Sequence, residues 1–309
     1  MATACRRSSR SSRRWESRAV HIPVLVDEVA WLLRPRRAGW VIDGTVGMGG
    51  HAEAILEHSE AGVRLLGLDL DPVALERAGV RLGRFGDRVR LRRASFRELD
   101  TVAADEGVGE AEAILFDLGL SSYQLDESGR GFSFQGDEPL DMRFDPTASG
   151  RASTLLNELP EAELARLLFE YGDERHARRI ARAIVRRRPL ATTGDLVAAV
   201  RSAAPRTAGP HRRHVATRTF QAIRMAVNDE TGALRQALRQ APPRLAVGGR
   251  LAFIAFHSGE DRMVKQTFRA LAREGFAELE PSPRQPGDDE VRANPRARSA
   301  KLRVLERLP

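Results

Sequence analysis

One stretch of eleven residues restricts the fold of this chain more than any other: Val41-Ile42-Asp43-Gly44-Thr45-Val46-Gly47-Met48-Gly49-Gly50-His51. An apolar run ends in an acid, glycines crowd a short turn, and Ala52-Glu53-Ala54-Ile55-Leu56 continues with helical character. The pattern predicts a strand, a tight loop and a helix N-terminus. Glycine lets the main chain adopt positive φ and lets a ligand approach it closely. A second apolar run, Leu65-Leu66-Gly67-Leu68, ends in Asp69. In a doubly wound fold, an acid about 20 residues beyond a glycine loop holds a ribose through its hydroxyls.

The loop chemistry separates two nucleotide-like ligands. Dinucleotide sites use G-x-G-x-x-G and set a pyrophosphate on the helix N-terminus. Here the order is D-G-T-x-G-x-G-G-H, with a carboxylate ahead of the first glycine. That charge repels a pyrophosphate and attracts an ammonium. S-adenosylmethionine carries an ammonium, a sulfonium and an adenosine but no phosphate, so the loop favours it over NAD.

Up to about residue 120 the chain alternates strand-like and helix-like segments. Strands are predicted at Trp40–Asp43, Arg64–Asp69, Val89–Arg92 and Ala113–Asp117, and helices at His51–Glu57, Pro72–Leu82 and Phe96–Ala104. Such alternation implies a parallel sheet. The next convincing strand is Arg250–Phe256, and the intervening crossover is far too long for one helix. A helical unit is therefore inserted, with helices expected at Glu161–Glu170, Glu174–Arg188 and Gly194–Ser202, then one long helix from Thr217 to Gln240. A helix at Glu260–Glu274, a Pro/Asp loop at Pro281–Asp289 and a strand within Lys301–Leu308 complete the reading. The fold class is α/β, a Rossmann-like doubly wound sheet with an inserted helical subdomain. The divisions are a disordered basic tail (1–20), the first part of the sheet domain (21–125), the insertion (126–225) and the second part (226–309).

Partner class follows from charge. Of 50 basic residues only Lys265 and Lys301 are lysine, and the net charge is +8. Arginine binds phosphate in a bidentate fork and stacks on bases, so nucleic acid is the partner to suspect. The run Arg6-Arg7-Ser8-Ser9-Arg10-Ser11-Ser12-Arg13-Arg14 cannot bury a core and has no apolar segment of a secretory signal. No apolar run approaches the roughly 18 residues of a membrane helix. One cysteine, Cys5, excludes an internal disulfide and a multi-cysteine zinc site, so no metal is expected and a cytoplasmic, reducing setting is inferred.

Chemistry-bearing residues cluster at strand ends. Asp43, Asp69, Phe96 and Asp117 all fall where an open α/β sheet binds ligands. The segment Asp117-Leu118-Gly119-Leu120-Ser121-Ser122-Tyr123-Gln124-Leu125-Asp126 combines an acid, a glycine and two serines. It suits either a site facing cofactor and acceptor or a serine-capped turn. Phe132 and Phe134, among glycines and arginines, suit base stacking or a place in the core. Two further basic clusters, His211–Arg218 and Ala293–Lys301, suit either a phosphate-facing surface or a solvated face. His257 reads as a helix cap in preference to a general base. Methylation at carbon 5 of cytosine usually begins with a thiolate, and Cys5 lies in the tail. Methylation of an exocyclic nitrogen needs only an amine held in line, a proton acceptor and excluded water.

Together these motifs resemble the bacterial small-subunit ribosomal RNA cytosine-N4 methyltransferases, the MraW/RsmH family. The resemblance runs from about His21 to Arg307. It includes His21-Ile22-Pro23-Val24-Leu25, Asp43–His51, Asp117–Asp126, Gly131–Phe134, Pro139–Asp145 and Tyr171–Arg188, then Ala216–Arg224, Phe256–Arg262 and Asn294–Arg303. It implies a class I methyltransferase domain that uses S-adenosylmethionine and methylates N4 of a cytidine in the decoding region of 16S ribosomal RNA. The small subunit would be the partner, with no membrane and no DNA. The family's cofactor contacts fall on Gly49, Gly50, His51, Asp69, Phe96, Asp117 and Gln124, with Asp117 also the candidate catalytic residue. Asp117-Leu118-Gly119 stands where amino methyltransferases of DNA carry D/N-P-P-Y.

Overall fold

The computed structural model describes residues 23–35, 37–203 and 214–309. The Arg/Ser tail with Cys5, His21 and Ile22, and residues 211–213 of the His211–Arg218 cluster lie outside the described residues.

Seven strands form one sheet: β1 Gly39–Asp43, β2 Val63–Asp69, β3 Val89–Arg93, β4 Ala111–Asp117, β5 Leu245–Ala255, β6 Phe276–Glu278 and β7 Lys301–Arg307. Their spatial order is β3-β2-β1-β4-β5-β7-β6, and only β7 runs antiparallel to its neighbours. From β1 the chain builds outward through β2 and β3, then returns to lay β4 on the other side. The crevice between the carboxyl ends of β1 and β4 is therefore the topological switch point, where open α/β sheets bind ligands.

The helices are α1 Val26–Leu32, α2 Gly50–Glu57, α3 Pro72–Leu82, α4 Leu99–Asp105, α5 Ser122–Asp126, α6 Ala152–Glu158, α7 Glu161–Gly172, α8 Ala177–Arg186, α9 Thr193–Ala203, α10 Thr217–Val227, α11 Glu230–Gln240, α12 Ser258–Leu271 and α13 Asp288–Ala293. Successive strand residues point to opposite faces, and here both faces are covered. Val41, Leu65, Leu115 and Ile254 pack under α1–α3, whereas Ile42, Leu66, Phe116 and Phe253 pack under α4, α11 and α12. Burial on both sides explains why the strands read as continuous apolar runs. A third core draws its buried members from Phe132 to Ile223 and includes α6 to α10.

Several elements differ from the sequence reading. The expected long helix Thr217–Gln240 is two helices, α10 and α11. The break falls at Asn228-Asp229, because short polar side chains tolerate the left-handed region and cap helices. Asp229 has φ 44° and accepts from the Gly232 N–H at 3.3 Å. Asn228 accepts from the Phe144 N–H at 2.8 Å and donates to the Met142 carbonyl at 2.7 Å. Arg224 and Glu230 close the corner with two hydrogen bonds at 2.7 and 2.8 Å. The helix expected from Phe96 begins as a 3-10 turn, Phe96–Glu98, before α4. The expected Pro281–Asp289 loop already contains the start of α13. Strand β6, only three residues long, carries no pattern of its own and exists by pairing with β7.

Candidate active site

The glycine loop is pinned at both flanks. Gly44 N–H donates to the Leu115 carbonyl at 2.9 Å and Val46 N–H to Leu68 at 2.8 Å, which ties the loop to β4 and β2. Gly49 caps α2 with φ 81°, a conformation that costs other residues steric strain. A Cβ on Gly50 would lie 2.3 Å from Pro23 Cγ, so the Pro23–Leu25 segment packs directly on the loop. His51 and Glu290 hold that segment: His51 Nε2 donates to the Val24 carbonyl at 2.9 Å, and Glu290 accepts from the Leu25 N–H at 2.7 Å. Sequence reasoning did not single out Pro23 and Val24 as cleft residues, although they line it. The motif beginning at His21 was the available signal.

Three carboxylates stand at the strand ends with different exposures. Asp43 is only 1% exposed and does not line the cleft; it lies beneath the loop and accepts from the Thr45 N–H at 3.1 Å. Its pKa is pushed up to about 7 by burial, with His51 pulling the other way and Asp117 and Asp69 adding to the rise. Asp69 lines the cleft and accepts from Gly47 N–H at 2.9 Å and Asp71 N–H at 2.8 Å. Burial raises its pKa to about 6 against those two bonds. Both oxygens are thus fixed in place and each retains a lone pair. Asp117 lines the cleft, is raised to about 7 by burial and then by Glu260, and its Oδ1 is buried with no hydrogen-bond partner among the described residues. Such an acceptor is costly to leave unpaired.

His51 sits behind Asp117, with Nδ1 3.6 Å from Asp117 Oδ2. A carbonyl accepts only from an N–H, so the Val24 contact places the ring's proton on Nε2. Burial lowers the His51 pKa, which favours the neutral ring. Its bare Nδ1 then faces a carboxyl group that holds a proton more readily than usual.

The remaining expected site residues are also brought to this edge. Phe96 lines the cleft, braced edge-on against Phe116 at 5.5 Å, and Phe116 in turn stacks on Phe253. Gln124 lines the cleft too, but its side chain is engaged in capping α5: its Oε1 accepts from Ser121 N–H at 3.0 Å while Ser121 Oγ accepts from Gln124 N–H at 3.2 Å. Ser121 is thus a helix cap, and Ser122 accepts from Arg296 at 3.1 Å. His257 caps α12 in a box with Glu260. Phe132 stacks on Phe144, and Phe134 packs against His214 and Phe220, so both belong to the inserted helices' own packing. In the Ala293–Lys301 cluster, Arg296 pairs with Asp126 and Lys301 with Asp261.

The cleft encloses about 920 Å³. Its second wall was not legible in the sequence: Tyr171 and Asp173 at the end of α7, Arg218, Gln221 and Met225 on α10, and Arg262 on α12. That size lies near the upper end of the roughly 300–1,000 Å³ range of ligand pockets. The residues present fit a sulfonium nucleoside: a fixed carboxylate for ribose hydroxyls, a braced aromatic ring, glycines for close approach, and a buried acceptor without a partner. Among the described residues no cluster of potential ligands suits a metal ion, and no helix is long and apolar enough to cross a membrane.

A sheet of this order, with a glycine loop at its switch point and an acid ending the neighbouring strand, defines a class I methyltransferase. The chain belongs to the MraW methylase family, whose sequence model matches residues 18–308. It is an S-adenosylmethionine-dependent enzyme. The chain is 49% identical over 308 residues to ribosomal RNA small subunit methyltransferase H of Heliobacterium modesticaldum, covering 93% of this chain and 98% of that one. It is 50% identical over 307 residues to the protein of the same name from Symbiobacterium thermophilum, covering 93% and 96%. It is likewise 50% identical over 289 residues to that of Thermotoga neapolitana, covering 93% and 95%.

Proposed function

We propose that this enzyme methylates the exocyclic N4 of a cytidine in 16S ribosomal RNA, within the decoding region of the small subunit. Substrate class is supported by the relatives' shared name, ribosomal RNA small subunit methyltransferase H. The observation that carries the chemistry is the buried, unpartnered Oδ1 of Asp117 at the switch point. Gly50 and His51 form the loop wall of the cofactor site, while Gly49, expected there too, is buried behind them against Ala78 and Leu82; Asp69 receives the ribose hydroxyls, Phe96 packs on the adenine, and Gln124 shapes the methionine end. When bound there, S-adenosylmethionine supplies an electrophilic methyl group.

Asp117 orients the target amine by accepting one of its N–H bonds, and the carboxylate then takes the proton that the nitrogen must lose. Its pKa near 7 matches that work, since a general base is most effective when tuned close to the operating pH. His51 lies behind Asp117, where its bare Nδ1, 3.6 Å from Oδ2, faces the carboxyl group once that group has taken the proton. Tyr171, Arg218 and Gln221 line the opposite wall, against which the base is placed. The cytidine must leave its stack, at a cost of a few kcal/mol.

Purified enzyme incubated with tritiated-methyl S-adenosylmethionine and unmethylated small subunits is expected to place label in N4-methylcytidine after nuclease digestion. Label in another nucleoside would overturn the assignment of the acceptor atom. Cofactor binding with no transfer to subunits or to free 16S RNA would favour a binding factor on the same fold.

A further inference from the structure

One face of α8 presents an arginine surface that the chemistry of the cleft does not use. Arg178, Arg179, Arg182 and Arg186 are all exposed, while Ala177, Ile180, Ala181, Ala183 and Ile184 are buried. On a helix of 3.6 residues per turn the four arginines fall within an arc of about 100°. Arg178 with Arg182, and Arg182 with Arg186, are like charges at i,i+4, a spacing that destabilises a helix. Arg182 pairs with Glu161 at 3.3 Å; among the described residues Arg178, Arg179 and Arg186 enter no ion pair. Strand arginines are paired, Arg90 and Arg92 with Glu106 and Arg303 with Asp261 and Glu278. Exposed Arg235 and Arg239 of α11 and Arg262 and Arg269 of α12 also enter no ion pair among the described residues, but Arg235 and Arg262 line the cleft, and none of the four joins the cavity that the α8 arginines share. Arg179, Arg182 and Arg186 also line a shallow cavity of about 210 Å³ with Ser202 and Ala203 of α9.

We propose that this face is a phosphate-binding surface for the RNA strand that delivers the target nucleotide, an inference that rests on the RNA reading above. Guanidinium groups fit phosphate oxygens bidentately, and Arg179, Arg182 and Arg186 supply the side-chain donors here, the Ser202 hydroxyl being spent on the Ala199 carbonyl at 2.7 Å. The site is therefore built from donors and suits an anion. Its distance from the cleft is bounded by the chain itself. Asp173 lines the cleft and α8 begins four residues later, so the start of α8 lies within about 15 Å of the cleft and Arg186, at its far end, within about 29 Å. A strand with one nucleotide in the cleft reaches this face with its flanking phosphates.

The test is a triple variant, Arg179→Gln with Arg182→Gln and Arg186→Gln, compared with wild type in binding to unmethylated small subunits across a salt series. Each phosphate contact contributes roughly 0.7–0.9 to the slope of log affinity against log salt. Loss of three is expected to lower that slope by about 2–3 and weaken binding on the order of a hundredfold at 0.1 M salt. S-adenosylmethionine affinity is expected to stay unchanged, and thermal stability to hold or rise because like-charge repulsion is relieved. Lysine at the same three positions is expected to restore most of the slope. An unchanged slope in a variant that binds subunits like wild type would overturn the surface while leaving the function intact. Loss restricted to anionic phosphatidylglycerol vesicles would overturn it in favour of a membrane role. Failure of the wild type to bind subunits at all would remove both readings.

Discussion

The cleft and the α8 face handle charge in opposite ways. At the ends of β1, β2 and β4, three carboxylates are wholly or partly withdrawn from water and their pKa values rise to between about 6 and 7. On α8, four guanidiniums are left in water, and three of them enter no ion pair among the described residues. Burial makes a charge expensive, so its placement has to be held by backbone N–H groups and glycine geometry. Exposure makes a charge cheap, screened and interchangeable. The first arrangement suits chemistry on one atom, and the second suits a polyanion recognised along its length.

The largest effect is expected inside the cleft. Asp117→Asn removes the proposed proton acceptor and preserves size, and at saturating cofactor it is expected to slow methyl transfer by about 10²–10⁴-fold, the usual contribution of general base catalysis. Single-turnover kinetics on small subunits measure this directly. Next comes Asp69→Ala, which under the proposed assignment deletes two charge-assisted hydrogen bonds to the ribose, each worth about 1.5–3 kcal/mol. Calorimetry is expected to show at least a hundredfold weaker S-adenosylmethionine binding. Unchanged affinity would take the ribose away from Asp69.

Much of this edge was legible in the sequence because its parts are local. The Asp43–His51 run specifies strand, turn and helix within one short window, and Asp69 and Asp117 each end an apolar run. The opposite wall was not legible. Tyr171, Arg218 and Gln221 lie on helices whose sequence records only which side faces their own core, so their convergence on the cleft depends on packing between distant segments. The α10–α11 break was hidden because Asn228-Asp229 interrupts a helical pattern without a glycine or proline. Asp43 shows the converse limit: its position before the loop suggested a ligand-facing acid, yet β1 ends with that side chain turned beneath the loop.

Smaller effects sharpen the contrast further. Gly49 and Gly107 both have positive φ, but a Cβ on Gly49 would meet Leu82 at 3.2 Å while one on Gly107 meets nothing within 4 Å. Gly49→Ala is therefore expected to lose more stability than Gly107→Ala, whose cost is backbone strain of about 1–2 kcal/mol. Equal losses in denaturant titrations would deny any crowding at the loop. The smallest effect concerns Asp43. Its folded pKa of about 7 lies above its ordinary value of 3.8, so the folded state binds the proton more tightly. The resulting stability is complete below about pH 4 and is lost as pH rises through 7. Asp43→Asn keeps an acceptor for the Thr45 N–H and removes that loss. It is expected to melt above wild type at pH 8, with the gap shrinking as pH falls toward 4. A gap independent of pH would mean that Asp43 is ionised throughout.

The pH dependence of single-turnover methyl transfer to unmethylated small subunits tests the role of Asp117 most directly. A carboxylate that must be ionised to take the amine proton gives a rate that climbs with pH and then levels off. The midpoint is expected at or below about 7, because a bound cation favours the ionised form. In Asp117→Asn that dependence is expected to vanish along with most of the rate. A wild-type profile flat from about pH 5 to 9, or one that survives the substitution unchanged, would contradict the assignment of Asp117 as the proton acceptor.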